Sequence, residues 1–342
     1  MPPLDHLIAL SDDVGLIQHA TWDVPNRSTG YCTDDVARGF IVALAAGTAE
    51  PAERLAQTYL AFLYDAQLPD GRFHNFMGYD RNWQDAAGGQ DAHARAVWAA
   101  GYGMRFAPRE SWRQICRLMF ERALPSMGSF QALRPRSYAI FGLAHAYEAS
   151  GRQDSRLRDQ MADQAAALVK AYREHRSEGW SWFEEAMTYD NARLPEALLC
   201  AGELLDDPEL VEVGARTLSY YESVVVENGI FVPIGNDGWF PRGGRRARYS
   251  QQPLEAAALV DAALRASVVL DDPHYKALAR IAFDWFLGRN TEGVTMVTER
   301  GGCRDGIDAN GVNENMGAES TLAYLASAIG IARASTEVAP VA

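Results

Sequence analysis

The sequence predicts an all-α fold, an (α/α)6 toroid of six inner and six outer helices, with short β-hairpins in the long loops at one end. Three observations predict it. A polar start followed by a helix of small and apolar residues recurs near Asp34, Asp91, Arg136, Asp190, Gln252 and Gly317, at intervals of about 45–65 residues, the length of a helical hairpin with one long loop. Between these helices lie charge-rich amphipathic ones. The connections alternate between short and long. Units that cannot bury a face alone must stack on their neighbours, and six such hairpins close into a ring.

In chain order, Leu4 to Gln18 reads as an amphipathic helix, and His19 to Thr33 as a loop broken by Pro25, Asn26 and Gly30. Thr33 or Asp34 caps the first inner helix, which runs to about Ala46. After a sharp turn at 47–51, an outer helix over Ala52 to Gln67 lines up Leu55, Tyr59, Phe62 and Leu63 on one face. Further amphipathic helices fall at 110–124, 154–175, 207–226 and 273–288. The inner helices are small or apolar nearly all round, as helices surrounded by protein must be. Short connections (47–51, 150–154, 205–207, 270–273) lead from inner to outer helices, and long ones (68–90, 177–189, 228–250, 289–316) lead back. The long loops therefore emerge where inner helices begin, and long loops on a rigid scaffold carry binding and chemistry. The stretches 70–77, 228–240 and 294–302 have the composition of short hairpins over that end.

The 342 residues read as one domain, with a disordered tail over about the last eight, since no low-complexity linker divides a chain that is 48% hydrophobic and 23% charged. A net charge of −13 argues against nucleic acid or an anionic membrane as partner. The basic run Arg242 to Arg248 is local and reads as a solvated loop rather than a phosphate site. The N-terminus lacks the pattern of a signal peptide and no apolar run is long enough to span a bilayer, so a cytoplasmic protein is expected. Cys32, Cys116, Cys200 and Cys303 are too widely spaced for a zinc site and suit reduced core thiols. No metal or cofactor is expected: around Asp308, Gly306 and Gly317 stand where a calcium loop needs its first and last ligands, and no phosphate-binding glycine motif occurs.

The long loops are rich in aromatic residues, among them Trp22, Tyr31, Trp180, Trp182, Tyr189 and Trp239. Aromatic faces interleaved with Asp, Asn, Gln and Arg suit sugar rings, whose CH faces stack while their hydroxyls demand hydrogen bonds; about half of these rings are expected to anchor loops instead. Asp34, Asp35, Asp91, Asp190 and Glu319 lie in or just before the first turn of inner helices. Each suits a cap, yet the same place keeps a carboxylate ionised, and Asp35, Asp91, Asp190 and Glu319 are candidate general bases. Glu184 and Glu185 follow Trp180, Trp182 and Phe183 outside any helix start, where desolvation would raise a pKa; one of them, Glu185 ahead, is the candidate general acid. Two carboxyls roughly 6.5–9.5 Å apart admit a water and give inversion. Arg38, Arg95, Arg193, Asn191, Gln252 and Glu255 are candidates to orient the acids or bind hydroxyls. The three arginines follow an Asp by three or four residues, the spacing of an ion pair one turn along a helix. His93 can face a cavity from an inner-helix start, although a structural histidine is the commoner role.

The segments GYCTDDVARG (30–39), DAHARAVWAAG (91–101), TYDNARLPEALL (188–199), QQPLEAAALVDA (251–262) and GAESTLAYL (317–325) resemble the six-hairpin glycosidase superfamily. More narrowly they resemble a bacterial toroid family found alone or attached to glycosyltransferases. The resemblance implies an (α/α)6 fold, an oligosaccharide ligand and a glycosyltransferase as candidate partner. Such toroids include inverting hydrolases, phosphorolytic enzymes, lyases and sugar epimerases, so the fold leaves the reaction open. Toroidal 2-epimerases rely on facing histidines, whereas here His93 alone sits at an inner-helix start; toroidal phosphorylases carry a large β-domain for which this chain has no room. The expected activity is hydrolysis of a neutral oligosaccharide by inversion, with mannose- or glucose-based β-linked chains as first expectation. The alternatives are a sugar epimerase or isomerase, or a non-catalytic glycan-binding partner of a glycosyltransferase.

Overall fold

The computed structural model describes residues 1–336. Of the expected tail, 337–342 lie outside the described residues. Chain contacts divide the protein into two compact units, one of residues 4–167 and one of 168–342 with 1–3.

In the unit of residues 4–167, α1 (Asp5–Leu10) is followed by α2 (Thr33–Ala46), α3 (Ala52–Ala66), α4 (Gln90–Phe106), α5 (Glu110–Ala123), α6 (Leu133–Ala149) and the first part of α7 (Ser155–His175). Helices α2, α4 and α6 lie side by side, with α3 backing α2 and α5 backing α4. The sequence dictates this sorting. On α5, Trp112, Cys116, Met119, Phe120 and Ala123 form one buried stripe, while α4 and α6 are buried nearly all round. The closest approach is at two glycines: a Cβ on Gly101 would lie 2.2 Å from the Gly142 carbonyl oxygen, and one on Gly142 2.8 Å from that of Val97.

The helix expected over Leu4 to Gln18 stops at Leu10. Asp12 Oδ1 accepts from the backbone N–H groups of Val14 and Gly15, and Ser11 pairs with Leu16 across the resulting turn. A short acidic side chain has here outcompeted the helix for backbone donors.

In the second unit, α8 (Arg193–Leu205), α10 (Pro253–Val269) and α12 (Ala318–Thr336) lie side by side. Helix α9 (Pro208–Val225) backs α8 and α11 (His274–Asp284) backs α10. Asp207 caps α9 through the N–H groups of Glu209 and Leu210, with Pro208 at the first helical position. Helix α11 stops before the expected residue 288, giving way to turns at Trp285.

Long connections precede α2, α4, α8, α10 and α12, and short ones precede their partners. Five two-stranded antiparallel ladders stiffen them: β1 (Ala20–Thr21) with β2 (Val24–Pro25), β3 (Tyr31–Cys32) with β4 (Phe76–Met77), β5 (Ala186–Met187) with β8 (Phe240–Pro241), β6 (Val226–Glu227) with β7 (Ile230–Phe231), and β9 (Gly306–Asp308) with β10 (Gly311–Asn313). The hairpin expected in 228–240 is β6–β7, turning at Asn228 and Gly229, both at positive φ. Residues 70–77 instead lend β4 to the loop before α2, and 294–302 form only the bridge Val297–Cys303.

All four cysteines are buried, and no disulfide joins any two of them. Burial, the largest cause, raises the thiol pKa of Cys32 and Cys303 and lifts that of Cys116 to about 12. No helix among the described residues is long and apolar enough to cross a membrane.

Candidate functional site

In the unit of residues 4–167, the first turn of α2 carries Asp34 and Asp35. Arg38 reaches both, at 3.2 and 3.3 Å, as its spacing predicts. Arg95 crosses from α4 to Asp34, with Nε 2.7 Å from Oδ1. Its Nη2 also donates to Tyr138 Oη at 2.8 Å, and its guanidinium lies over the Tyr138 ring. Asp34 thus meets two guanidiniums while its side chain stays 22% exposed, whereas Asp35 and Arg95 are buried. Asn75 orders the approach: its side-chain oxygen accepts from Asp34 N–H and its carbonyl from Thr33 N–H. Asp91 is half-buried in the first turn of α4. None of α2, α4, α8 and α10 has a side-chain hydrogen bond from its N-cap residue, and at the start of α2 the acids Asp34 and Asp35 are held by arginines.

His93 is buried between the rings of Phe73 and Phe130. Ser126 gives its hydroxyl proton to the Ala123 carbonyl, so at 2.7 Å it accepts from His93 Nε2. Burial, aided by Arg72, lowers the His93 pKa to about 4, and the ring is neutral at physiological pH.

The second unit holds a denser cluster before and along α8. Asp190 is fully buried at φ 48°, a left-handed bend. Its N–H donates to Glu255 Oε1, while Glu255 Oε2 accepts from Asn191 Nδ2 at 3.1 Å and Tyr221 Oη at 2.9 Å. Arg193 lies 3.6 Å from Asp190, 2.7 Å from Glu196 and 2.8 Å from Asp261, with Arg265 3.6 Å from Glu196. Two guanidiniums thus face the carboxyls of Asp190, Glu196 and Asp261. The consequence is electrostatic: burial first, then Asp190, lifts the Glu255 carboxyl to about 7, and burial raises that of Glu196 despite Arg193. Burial opposes the charge of Arg193, but Glu196, Asp261 and Asp190 more than offset it.

The expected acid lies in different surroundings from those foreseen. Glu185 is 69% exposed and ion-paired with Arg242, while the rings meant to desolvate it, Trp180, Trp182 and Phe183, are turned into the core. Glu184 is the half-buried member of the pair. Glu319, in the first turn of α12, Tyr189 and Gln252 are also half-buried. Tyr31, like Trp180 and Trp182, anchors its loop, whereas Trp22 and Trp239 are exposed. The basic run is largely neutralised, Arg246 and Arg248 both holding Glu227. Among the described residues no three His, Cys, Asp or Glu side chains are grouped to hold a metal ion. Sequence reasoning missed Asn75, Tyr138, Tyr221, Glu196, Asp261 and Arg265. Glu196 carried a signal, three residues beyond Arg193; the others meet their partners only across elements.

No protein-family model matches the chain. No curated protein matches it in sequence. Solved structures do. The cellobiose 2-epimerase of Bacillus thermoamylovorans superposes with a TM-score of 0.76 at 11% identity, over 98% of this chain and 96% of the other. A D-mannose isomerase gives 0.74 at 11% identity, over 97% and 95%. The GH76 α-mannanase BT2949 of Bacteroides thetaiotaomicron gives 0.67 at 10% identity, again over 97% and 95%. The fold is an (α/α)6 toroid. In this toroid α2, α4, α6, α8, α10 and α12 are the inner helices, and the half-buried acids Asp34, Asp91 and Glu319 all stand at inner-helix starts.

Proposed function

We propose that this toroid is a carbohydrate-active enzyme, a glycoside hydrolase that cleaves a neutral oligosaccharide by inversion. The supporting observation is which side chains remain reachable. At the long-loop ends these are carboxyls, Asp34, Asp91, Glu184 and Glu319, while the one histidine at an inner-helix start is neutral and packed between phenylalanines. In the unit of residues 168–342, Glu184 serves as general acid, being the half-buried carboxyl of its pair, in the loop that carries Trp180, Trp182 and Phe183, while Glu185 is exposed and held by Arg242. Glu319, a half-buried carboxyl in the first turn of α12, serves as base. In the other unit, Asp34 and Asp91 offer acceptors for sugar hydroxyls and Trp22 an exposed aromatic face. Four buried cysteines with no disulfide among them suit a reducing, cytoplasmic setting, and the motif resemblance supports a glycosyltransferase as partner, testable by co-purification.

Time-resolved proton NMR with neutral α- and β-linked disaccharides to tetrasaccharides tests the reaction. Loss of a glycosidic anomeric signal with product first in the opposite configuration is expected; retained configuration refutes inversion. Glu184→Gln and Glu319→Gln should each cut turnover by about a thousandfold, and Glu185→Gln by less than about threefold, the exposed ion pair being a minor contributor. A second reading, sugar epimerisation, is favoured by the likeness to cellobiose 2-epimerase. Interconversion of a reducing-end sugar with all linkages intact, abolished by His93→Asn, would establish it instead.

A further inference from the structure

The turn that leads into α8 is held from outside itself. Asn191 closes it, its Oδ1 accepting from Thr188 N–H at 3.0 Å and its Nδ2 donating to the Thr188 carbonyl at 2.9 Å. The left-handed backbone at Asp190 is uncommon for a residue with a side chain and persists only where surroundings fix it. What fixes it is Glu255, on the neighbouring helix α10. One carboxylate oxygen takes the Asp190 N–H; the other takes Asn191 Nδ2 and Tyr221 Oη. An anionic acceptor with four donors, the fourth being the Asn191 N–H at 3.5 Å from Oε2, spends both oxygens on the bend and has no accessible face left for a ligand, since Glu255 is buried. The turn leaves Thr188 and Tyr189 half-buried beside buried Asp190, and Tyr189 is its aromatic member.

The geometry points to Glu255 as a positioning residue: its carboxylate fixes the Thr188–Asn191 turn and thereby presents Tyr189 to the sugar, an inference that rests on the site binding carbohydrate. Protonation, which its elevated pKa brings close to neutrality, turns one oxygen into a donor and costs it an acceptor. The groups facing Glu255 are Asp190 from the turn and Tyr221 from α9, with Arg246 of the loop before α10 acting on Tyr221. On α10 itself the nearest charged partner of the cluster, Asp261, is engaged by Arg193. Glu255→Gln must fail on one side: its amide oxygen can serve Asp190 or the Asn191–Tyr221 pair, and its amide nitrogen then opposes the other.

The test follows the Asp190 amide resonance of full-length protein labelled with [15N]aspartate, between pH 5.5 and 8.5, without sugar, alongside steady-state kinetics. In the wild type the resonance should titrate with a midpoint near 7, KM should rise about tenfold below that midpoint, and kcat, corrected for the catalytic acids, should stay level. Glu255→Gln should abolish the amide titration and fix KM at its acid value at every pH. Tyr221→Phe, a milder change that removes one donor to the charged form, should move the midpoint upward and serves if the glutamine variant does not fold. An Asp190 amide that does not titrate, or a Glu255→Gln variant with wild-type KM, would overturn the assignment. Titration of the amide as expected, with ligand affinity by line-broadening falling in Glu255→Gln but no turnover of any sugar, would support the brace and refute the hydrolase.

Discussion

Glu255 shows what one buried carboxyl does to stability. Its folded pKa of about 7 lies above the ordinary 4.5, so the folded state holds the proton more tightly than the unfolded chain. Its favourable contribution is full below pH 4.5 and is lost as pH rises through 7. At roughly 1.4 kcal/mol per pKa unit, the unfolding free energy should fall by about 3 kcal/mol over that window. Urea melts at several pH values should show this slope, and Glu255→Gln should flatten it. The charged form that braces the Asp190 bend is therefore the less stable one, an exchange of stability for geometry. Arg95 makes the opposite case. Removing its guanidinium as Arg95→Met takes a donor from Tyr138 Oη and one of the two guanidiniums from Asp34, yet Arg38 and solvent still serve that carboxylate. We expect a loss of about 2 kcal/mol, below the 3–5 of a fully buried pair, in the same melts.

At the scale of elements, the glycine contact between α4 and α6 is the least forgiving. Gly101→Ala would place a methyl group 2.2 Å from a backbone oxygen that no side-chain rotation can move. The helices must separate, and a loss of about 3 kcal/mol or more is expected on thermal unfolding. Much of this scale could be read from the chain. Inner helices declared themselves because Ala, Gly and Leu covered every face, and the placement of Asp34, Asp91 and Glu319 followed from where those helices begin. What stayed hidden depended on choices made across elements. Arg95 has an Asp four residues before it, but also reaches Asp34 on α2. Tyr138 and Tyr221 look like ordinary core residues of their own helices, and only the neighbour's Arg95 or Glu255 gives each hydroxyl a purpose. Adjacent Glu184 and Glu185 differ in exposure because β5 begins at Ala186 and pairs with β8, a partner far along the chain.

For the molecule as a whole, a net charge of −13 works against a polyanionic ligand at the proposed sugar site. Polyanionic glycans should be repelled, so a sulfated oligosaccharide should show no line-broadening at about 10 mM salt, where the field is least screened; neutral chains should bind equally well in low and high salt. The buried thiols have a separate practical consequence. Alkylating reagents attack thiolates, and Cys32, Cys116 and Cys303 are both enclosed and held protonated by their surroundings. Untouched while the chain is folded, they become reactive only when it opens, so the rate of iodoacetamide uptake is a clock for breathing of the native state. The same silence leaves the surface free for a single introduced cysteine, and a dye placed there would carry the only label in the molecule.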